Sequence, residues 1–338
     1  MFRAFFILTS TLYFLNMLKL QNVSFAYQKE PVLKNISFEI GKGQNVSVIG
    51  ESGCGKSTLL KLIYGLLHTD GKVSWNGEEM LGPNFNLVPG EPFIKYLAQD
   101  FDLMLPLTAA ENVGKHLSNF YPVKKKRRIK ELLEVVEMED LADKKAKLLS
   151  GGQQQRIALA RALAKEPELI LLDEPFSHID HFRKNNLRRR LFSYLKEKNI
   201  TCIVATHDST DALSFADHTF VLKNGNIYAD GTPEELYKSP PNKYIASLFG
   251  DVNHIMLKNL KENESSRKRV VLYPHDISIV KSSPIKAEVK NTYFKGENFL
   301  IQAKLNGEEV LVEHKNDIQP GKTISLKVPE KLIEERLK

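Results

Sequence analysis

The residues with the clearest chemical meaning form one glycine-rich segment, 50–58, which reads GESGCGKST. Glycines allow the backbone to curl so that successive N–H groups point at one phosphate, Lys56 can neutralise charge on the β- and γ-phosphates, and the Ser57 hydroxyl can bind Mg²⁺. The segment therefore predicts a site for a nucleoside triphosphate with Mg²⁺ rather than a glycine-rich turn. The predicted contacts are Gly50, Ser52, Gly53, Cys54, Gly55, Lys56, Ser57 and Thr58.

Two carboxylates, Asp173 and Glu174, follow the apolar run 169–172. Such a run is typical of a strand buried on both faces of a parallel sheet, and doubly wound sheets bind ligands beyond the carboxyl ends of these strands. We expect Asp173 to hold Mg²⁺ through water and Glu174 to polarise the water that attacks the γ-phosphorus. Taken alone, the same residues would indicate a surface turn, and the phosphate-binding segment upstream favours catalysis.

A third motif, LSGGQQQR at 149–156, places a serine and two glycines at the start of a predicted helix. Free N–H groups and the positive end of the helix dipole would make Ser150, Gly151, Gly152 and Gln153 a second anion site. The alternative is a helix N-cap without a ligand. The serine lies 173 − 150 = 23 residues before the strand-end aspartate.

With these three motifs in this order, the chain resembles the ATP-binding cassette (ABC) ATPases, whose signature motif reads as residues 149–153 do. In that family the signature of one subunit covers the γ-phosphate held by the phosphate loop of another. The resemblance therefore implies ATP and Mg²⁺ as cofactors, and a homodimer in which two copies of the chain enclose two ATP molecules.

The resemblance assigns four further residues, none of which carries the function by its type alone. Tyr27 corresponds to the family's adenine-stacking aromatic, and Gln99 to the glutamine that contacts Mg²⁺ and the attacking water. Asp180 corresponds to an aspartate at the dimer contact, and His207 to the histidine that hydrogen-bonds the γ-phosphate. Glu174, His207 and Gln99 are thus the predicted catalytic residues, and Ser57, Gln99 and Asp173 the predicted metal ligands.

The elements that must position these residues follow from the apolar patterns. Runs at 18–25, 46–49, 169–172 and 201–206 predict strands, and the residues after Lys56 predict a helix. We expect an α/β phosphate-loop domain over residues 17–250. Within it, the charged amphipathic segment from about 93 to 149 predicts a helical subdomain, which in the ABC family docks on a membrane partner.

After Gly250 the pattern changes to short alternating strands with turn signals at Asn306-Gly307 and Pro320-Gly321. We expect a small all-β domain over 251–338. It resembles the oligonucleotide-fold-like (OB-like) accessory domain of importer ATPases for maltose, polyamines, ferric iron and oxyanions. Tyr273 stands where that family often has an arginine, which leaves a regulatory role open.

Composition narrows the functional classes for this chain of 338 residues and net charge +7. Basic runs at 124–128, 188–190 and 267–269 are interpreted as solvated helix faces, because glutamates follow the first run, and no nucleic-acid partner is expected. Two cysteines cannot form a disulfide framework, which favours a reducing compartment. The apolar residues 1–16 resemble a signal peptide, but export would separate the protein from ATP, so we interpret Met17 as the true start.

The sequence thus predicts the ATP-hydrolysing subunit of a solute importer, peripheral on the cytoplasmic face of the membrane. Expected partners are transmembrane permease subunits, a second copy of the chain and a solute-binding protein, with a polyamine or ferric iron as the solutes to test first. The alternatives are a soluble cassette ATPase acting on nucleic acid or ribosomes, a small-molecule kinase, and the ATPase of an exporter. The single phosphate loop, the signature motif and the appended β domain respectively count against these three.

Overall fold

The computed structural model describes residues 17–261, Ser266 and 268–337. The chain divides into two compact units at Pro233/Glu234, and each unit is described by itself. The interpretation of residues 1–16 lies outside the described residues, as does Arg267 of the third basic run. Residues 234–250, which the sequence assigned to the ATPase domain, group with the second unit.

Helices and strands alternate through the first unit, and strands predominate in the second. The strands are β1 Met17–Tyr27, β2 Glu30–Gly41, β3 Asn45–Ile49, β4 Lys72–Trp75, β5 Glu78–Glu79, β6 Ile94–Leu97, β7 Leu169–Asp173, β8 Thr201–Thr206, β9 His218–Lys223, β10 Asn226–Gly231, β11 Asn253–Met256, β12 Arg269–Leu272, β13 Ser278–Val280, β14 Lys286–Phe294, β15 Phe299–Leu305, β16 Glu308–His314 and β17 Thr323–Lys327. The helices are α1 Lys56–Ile63, α2 Ala109–Gly114, α3 Pro122–Val135, α4 Gly151–Leu163, α5 His181–Glu197, α6 Ser209–Phe215, α7 Pro233–Lys238, α8 Lys243–Ser247 and α9 Glu330–Arg336.

A six-stranded sheet of order β10-β9-β3-β8-β7-β6 forms the centre of the first unit. Its strands are parallel except for β10, which pairs antiparallel with β9. Every residue of β3, β7 and β8 is buried, as their continuous apolar runs predict. Because these three strands are parallel neighbours, the segments that follow them emerge at one edge, and the predicted α/β class is confirmed.

A second, antiparallel sheet of order β2-β1-β4-β5 packs in the same core as α1 and one face of the central sheet. Alternate residues of β1, such as Leu18 and Leu20, share this cluster with Val48 of β3 and with Leu59 and Leu60 of α1. All five side chains are buried. This packing holds the first turn of α1, which carries Lys56 and Ser57, against the carboxyl edge of the sheet.

The other face of the central sheet packs in a separate apolar cluster with α3, α4 and α5. Thr108 begins α2 with a reciprocal capping box to Glu111, and Leu132 and Leu133 are the buried residues of α3. Helices are the main regular structure of the segment 93–149, although its first residues form β6 of the central sheet.

The second unit contains a five-stranded antiparallel sheet of order β13-β17-β14-β15-β16 and a two-stranded sheet of β11 and β12. Asn306 and Gly307, with φ of 48° and 90°, join β15 to β16 in a two-residue turn, as predicted. Tyr273, which stands where the importer ATPases often have an arginine, lies under the guanidinium of Arg336 at 5.2 Å. The Arg336 Nη2 atom also lies 3.7 Å from Asp276.

Across the described residues, no helix combines the length and apolar character that a membrane span requires.

Candidate nucleotide-binding and hydrolysis site

The loop between β3 and α1 adopts a conformation that only glycine tolerates at two positions. Gly50 has a φ of 154°, and a Cβ atom there would lie 2.2 Å from the carbonyl oxygen of Leu222. Gly55 has a φ of 109° immediately before α1, and its Cβ would lie 2.8 Å from the Leu33 side chain. The glycines are thus required by both conformation and close packing.

Lys56 begins α1 and folds back over the loop. Its Nζ donates to the carbonyl oxygens of Gly50 at 2.8 Å and Glu51 at 3.0 Å, and the residue is only 8% exposed. The ammonium is thereby held at the concave side of the loop by backbone acceptors. A triphosphate entering this loop offers stronger, charged acceptors to the same three N–H groups.

Ser57 and Asp173 meet across the edge of the sheet. The Ser57 hydroxyl donates to Asp173 Oδ1 at 3.0 Å, and the Tyr96 hydroxyl donates to Oδ2 at 3.1 Å. Burial raises the pKa of Asp173, while the hydrogen bonds from Ser57 and Tyr96 act in the opposite direction. A hydroxyl and a carboxylate side by side provide the hard oxygen donors that Mg²⁺ prefers, and the substrate phosphates supply others in such sites. This donor set fits Mg²⁺.

Glu174 leaves β7 in a left-handed backbone conformation, with a φ of 52°. Its N–H donates to the Ala205 carbonyl of β8 at 2.9 Å, which anchors the residue to the neighbouring strand. One carboxylate oxygen lies 2.7 Å from Nδ1 of His207, which follows β8. The Glu174 side chain is 12% exposed and that of His207 65%, so the imidazole lies on the solvent side of the pair.

Two adjoining cavities connect these groups. One, of about 240 Å³, is lined mainly by residues of the phosphate loop, and the other, of about 750 Å³, is lined by residues that include His207. Ser52, Gln99 and Glu174 line both cavities. The structure therefore brings Gln99, Glu174, His207 and the phosphate loop together.

The signature segment begins α4 but does not line either cavity through its predicted contact residues. The Ser150 hydroxyl accepts from the Gln153 N–H at 3.3 Å, and the Gln153 side chain accepts from the Ser150 N–H at 3.0 Å. A Cβ on Gly152 would lie 2.5 Å from the His178 carbonyl oxygen, so this glycine is required for packing. Ser150 thus occupies the N-cap of α4.

Tyr27 and Asp180 also lie outside the two cavities. Tyr27 ends β1, is 50% exposed and has its ring against the edge of Phe25, with 4.7 Å between centroids. Asp180 is exposed at the start of α5, and its side chain makes no capping hydrogen bond. A partly exposed tyrosine ring is available for stacking, and an exposed aspartate is available for an intermolecular contact.

Sequence reasoning missed Gln155, which joins the signature helix to the turn that follows β7. Its Nε2 donates to the Glu174 carbonyl at 2.9 Å, and its Oε1 accepts from the His178 N–H at 3.2 Å. Gln155 is 2% exposed. A glutamine in a glutamine-rich run carries no signal for this contact, because its partners lie about twenty residues away in the sequence.

The interpretation of the second basic run, 188–190, as a solvated helix face is wrong for Arg188. Arg188 is buried on α5, donating through Nε to Asp211 at 2.6 Å and through Nη2 to Asp208 at 2.5 Å. Asp211 also accepts from the Thr206 hydroxyl at 2.7 Å. These bonds hold the turn 206–208, and with it His207, while Arg189 and Arg190 remain exposed as predicted.

Comparison with known proteins gives consistent relatives. A sequence profile described as ABC transporter matches residues 33–177. The chain is 32% identical to the Fe(3+) ions import ATP-binding protein FbpC of Haemophilus influenzae over 93% of this chain and 95% of that protein. It is also 32% identical to the spermidine/putrescine import ATP-binding protein PotA of Clostridioides difficile, again over 93% and 95%.

A third relative and a solved structure extend the comparison. The sulfate/thiosulfate import ATP-binding protein CysA of Pseudomonas syringae pv. tomato is 33% identical over 88% of this chain and 90% of that protein. The ATP-binding cassette MJ0796, in a dimeric post-hydrolysis state bound to ADP and Pi, is similar in structure with a TM-score of 0.55 and 31% identity. That likeness covers 64% of this chain and 98% of that chain.

Proposed function

The chain belongs to the ABC transporter family, and on that premise we propose that it is the ATP-binding and ATP-hydrolysing subunit of a solute importer. The observation that carries the proposal is the meeting of three strand ends at one edge of the central sheet. There the phosphate loop, the Ser57–Asp173 pair and the Glu174–His207 pair face connected cavities. Relatives along nearly the whole chain are named as import ATP-binding proteins.

ATP binding is proposed to begin with the triphosphate in the loop 50–58. Loop N–H groups and Lys56 would hold the β- and γ-phosphates, and the ring of Tyr27 would stack on adenine. Ser57, Asp173 and Gln99 would hold Mg²⁺, which when bound neutralises charge on the phosphate oxygens. The 3.0 Å contact between Ser57 and Asp173 supports this assignment.

For hydrolysis we assign the general base to Glu174. Its carboxylate would accept a proton from the water that attacks the γ-phosphorus, and His207 would position the γ-phosphate while contacting the base. Gln99 lines both cavities and would orient the same water. The left-handed conformation of Glu174 and its bond to Ala205 support a fixed direction for the carboxylate.

The signature segment would complete the site of a second copy of the chain. Ser150 lies at the N-cap of α4, where backbone N–H groups and the positive dipole end favour an anion. Because Ser150, Gly151 and Gln153 line neither cavity of their own chain, an opposing subunit is the natural recipient, with Asp180 at the contact between the copies. The related cassette structure is dimeric.

The remaining partners are proposed from the relatives. We expect a transmembrane permease and a solute-binding protein, with this subunit on the cytoplasmic face of the membrane. Ferric iron and polyamines are the solutes to test first, and sulfate joins them because one relative is named for it. A cassette acting on nucleic acid or ribosomes, and an exporter ATPase, remain the alternatives.

Purification of the tagged chain from native membranes tests the proposal. A polytopic membrane protein should co-purify, and reconstitution of the complex in liposomes should couple ATP hydrolysis to uptake of one of the three solute classes. Recovery of ribosomal proteins or RNA instead, with no membrane protein, would favour the nucleic-acid alternative. ATP-driven movement of solute in the opposite direction would identify an exporter.

A further inference from the structure

A surface at the start of α3 combines exposed aromatic and apolar side chains with adjacent cations. Phe120 is 92% exposed, Val123 81% and Tyr121 61%. Lys124, Lys125, Lys126 and Arg127 follow at once. We call residues 120–127 the basic-aromatic segment. No residue assigned to ATP binding, hydrolysis or the contact between two copies lies in it.

The cations of this segment form no ion pair with a carboxylate in the described part of the chain. Lys124 lies over the Tyr121 ring at 5.2 Å, and Lys125 donates to the side chain of Asn119 at 2.8 Å, both within the same surface. Lys126 and Arg127 are exposed and form no hydrogen bond or ion pair with the described part of the chain. The positive charge of the segment is therefore directed to solvent.

The glutamates further along α3 form their ion pairs with cations outside the segment, although Glu131 and Glu134 line one surface cavity with Lys124 and Arg127. Glu131 pairs with Arg128 at 3.0 Å and with Lys198 at 3.6 Å, and Glu134 lies 3.8 Å from Lys130. Arg128 itself is largely buried and also donates to the Leu163 carbonyl at 2.8 Å. The interpretation of this run as a solvated helix face therefore fits Lys124, Lys126 and Arg127, which are exposed, but not Arg128.

The placement of these charges is unfavourable for the helix that carries them. The first turn of α3 contains no acidic residue, and no side chain caps it. Lysines near the amino-terminal end face the positive end of the helix dipole and repel one another. Exposing Phe120 and Val123 to water is unfavourable as well. An anionic, partly apolar surface would relieve both penalties.

We propose that the basic-aromatic segment contacts the surface of an anionic lipid bilayer. Lys124, Lys126 and Arg127 would lie among acidic headgroups, and Phe120, Tyr121 and Val123 would enter the boundary with the acyl chains. A cluster of cations with adjacent aromatic residues is the combination that interfacial segments use for this purpose. The contact would orient the ATPase at the membrane independently of its permease.

Co-sedimentation of the full-length chain with protein-free vesicles tests the proposal. Vesicles of phosphatidylcholine with phosphatidylglycerol should bind the chain, pure phosphatidylcholine should bind it far less, and added NaCl should weaken the binding. Lys126→Gln with Arg127→Gln should lower the partition coefficient about 30-fold, since two cations contact the surface. The matched control, Lys42→Gln with Arg189→Gln, removes two exposed cations elsewhere in the same unit and should bind as the unmodified chain does.

The Phe120→Ser variant tests the apolar contribution to vesicle binding separately from the electrostatic one. It should lower the partition coefficient about tenfold while leaving the salt dependence unchanged, whereas the Lys126→Gln, Arg127→Gln variant should reduce that dependence. Circular dichroism and ATP hydrolysis should match the unmodified chain in all variants, because these side chains are exposed and none of them is assigned to the site. A failure of the importer proposal would leave this vesicle assay unaffected.

Several results would overturn the proposal. Equal binding to neutral and anionic vesicles excludes it, and so does anionic binding that the Lys126→Gln, Arg127→Gln variant retains. Salt-dependent binding to an RNA oligonucleotide without vesicle binding assigns the segment to nucleic acid. Loss of the co-purifying permease in that variant, with no vesicle binding by the unmodified chain, assigns it to a protein contact.

Discussion

At the scale of single residues, the catalytic assignment depends on one carboxylate. Glu174 has a φ of 52°, a left-handed conformation that costs a non-glycine residue free energy. The backbone bond to Ala205 and the 2.7 Å contact with His207 stabilise it. A residue held in this way at the end of a buried strand is suited to a directional role such as proton acceptance.

Glu174→Gln should lower ATP turnover by at least about 100-fold, because a positioned general base contributes roughly 10²–10⁴-fold. ATP affinity should persist, since Lys56, Ser57 and Asp173 are unchanged. Phosphate release and equilibrium nucleotide binding measure the two effects separately. Glu78→Gln, on an exposed strand, is the matched control and should leave both unchanged. Wild-type turnover in Glu174→Gln would remove the assignment.

Tyr27→Ala should raise the dissociation constant for ATP by roughly five- to 100-fold, because loss of one stacked base costs about 1–3 kcal/mol. Tyr27→Phe and Tyr27→Trp should retain the affinity, since both keep an aromatic face. Isothermal titration of ATP compares the three variants. An alanine variant with unchanged affinity would show that the half-exposed ring does not stack on adenine.

At the scale of elements, Arg188 connects α5 with the turn that carries His207. Arg188→Met should destabilise the first unit by about 3–5 kcal/mol, because Asp211 would be left buried and without its ionic partner. Trp75, the one tryptophan of the chain, is buried in this unit, so its fluorescence during urea unfolding reports on the unit directly.

Two further variants distinguish the contribution of the Arg188–Asp211 ion pair to stability from the general effect of replacing an arginine. The neighbouring exposed Arg189→Met should change stability by no more than about 0.5 kcal/mol. Adding Asp211→Asn to Arg188→Met should recover part of the loss, because the uncompensated charge is removed. Equal destabilisation by Arg188→Met and Arg189→Met would contradict the role given to the buried pair.

At the scale of the whole molecule, the proposed dimer depends on the signature segment. Glu174→Gln protein should form a dimer with Mg-ATP and remain monomeric without it, because unhydrolysed ATP would join two chains through Ser150 to Gln153. Ser150→Arg in the same background should abolish the dimer by blocking that surface. Multi-angle light scattering measures the mass. A Ser150→Arg protein that still dimerises with ATP would exclude the proposed contact.

The division of the chain makes a second prediction at this scale. A chain ending at Gly250 should bind and hydrolyse ATP, because every residue assigned to the site precedes that position. Comparison with a chain ending at Pro233, where the compact units divide, tests whether residues 234–250 support the first unit. Complete loss of nucleotide binding in a folded chain ending at Gly250 would show that the accessory unit is required for the site.

The sequence by itself determined the phosphate loop, the strand-end carboxylates, the α/β class and the β-rich second unit. Each depends on local patterns: glycine spacing, continuous apolar runs, and the Asn306-Gly307 turn. Since parallel strands place their carboxyl ends together, the sequence pattern also predicts the proximity of Lys56, Asp173 and Glu174.

Only the tertiary structure decided which polar side chains serve as internal supports. Gln155 contacts the backbone of Glu174, Tyr96 contacts Asp173, and Arg188 pairs with the buried Asp211 and the partly buried Asp208. Lys126 and Arg127, in another basic run, are instead exposed to solvent. The sequence alone does not distinguish a buried, paired cation such as Arg188 from an exposed one. The physical reason is that burial and pairing depend on contacts between residues far apart in the chain, which residue type and local spacing do not encode.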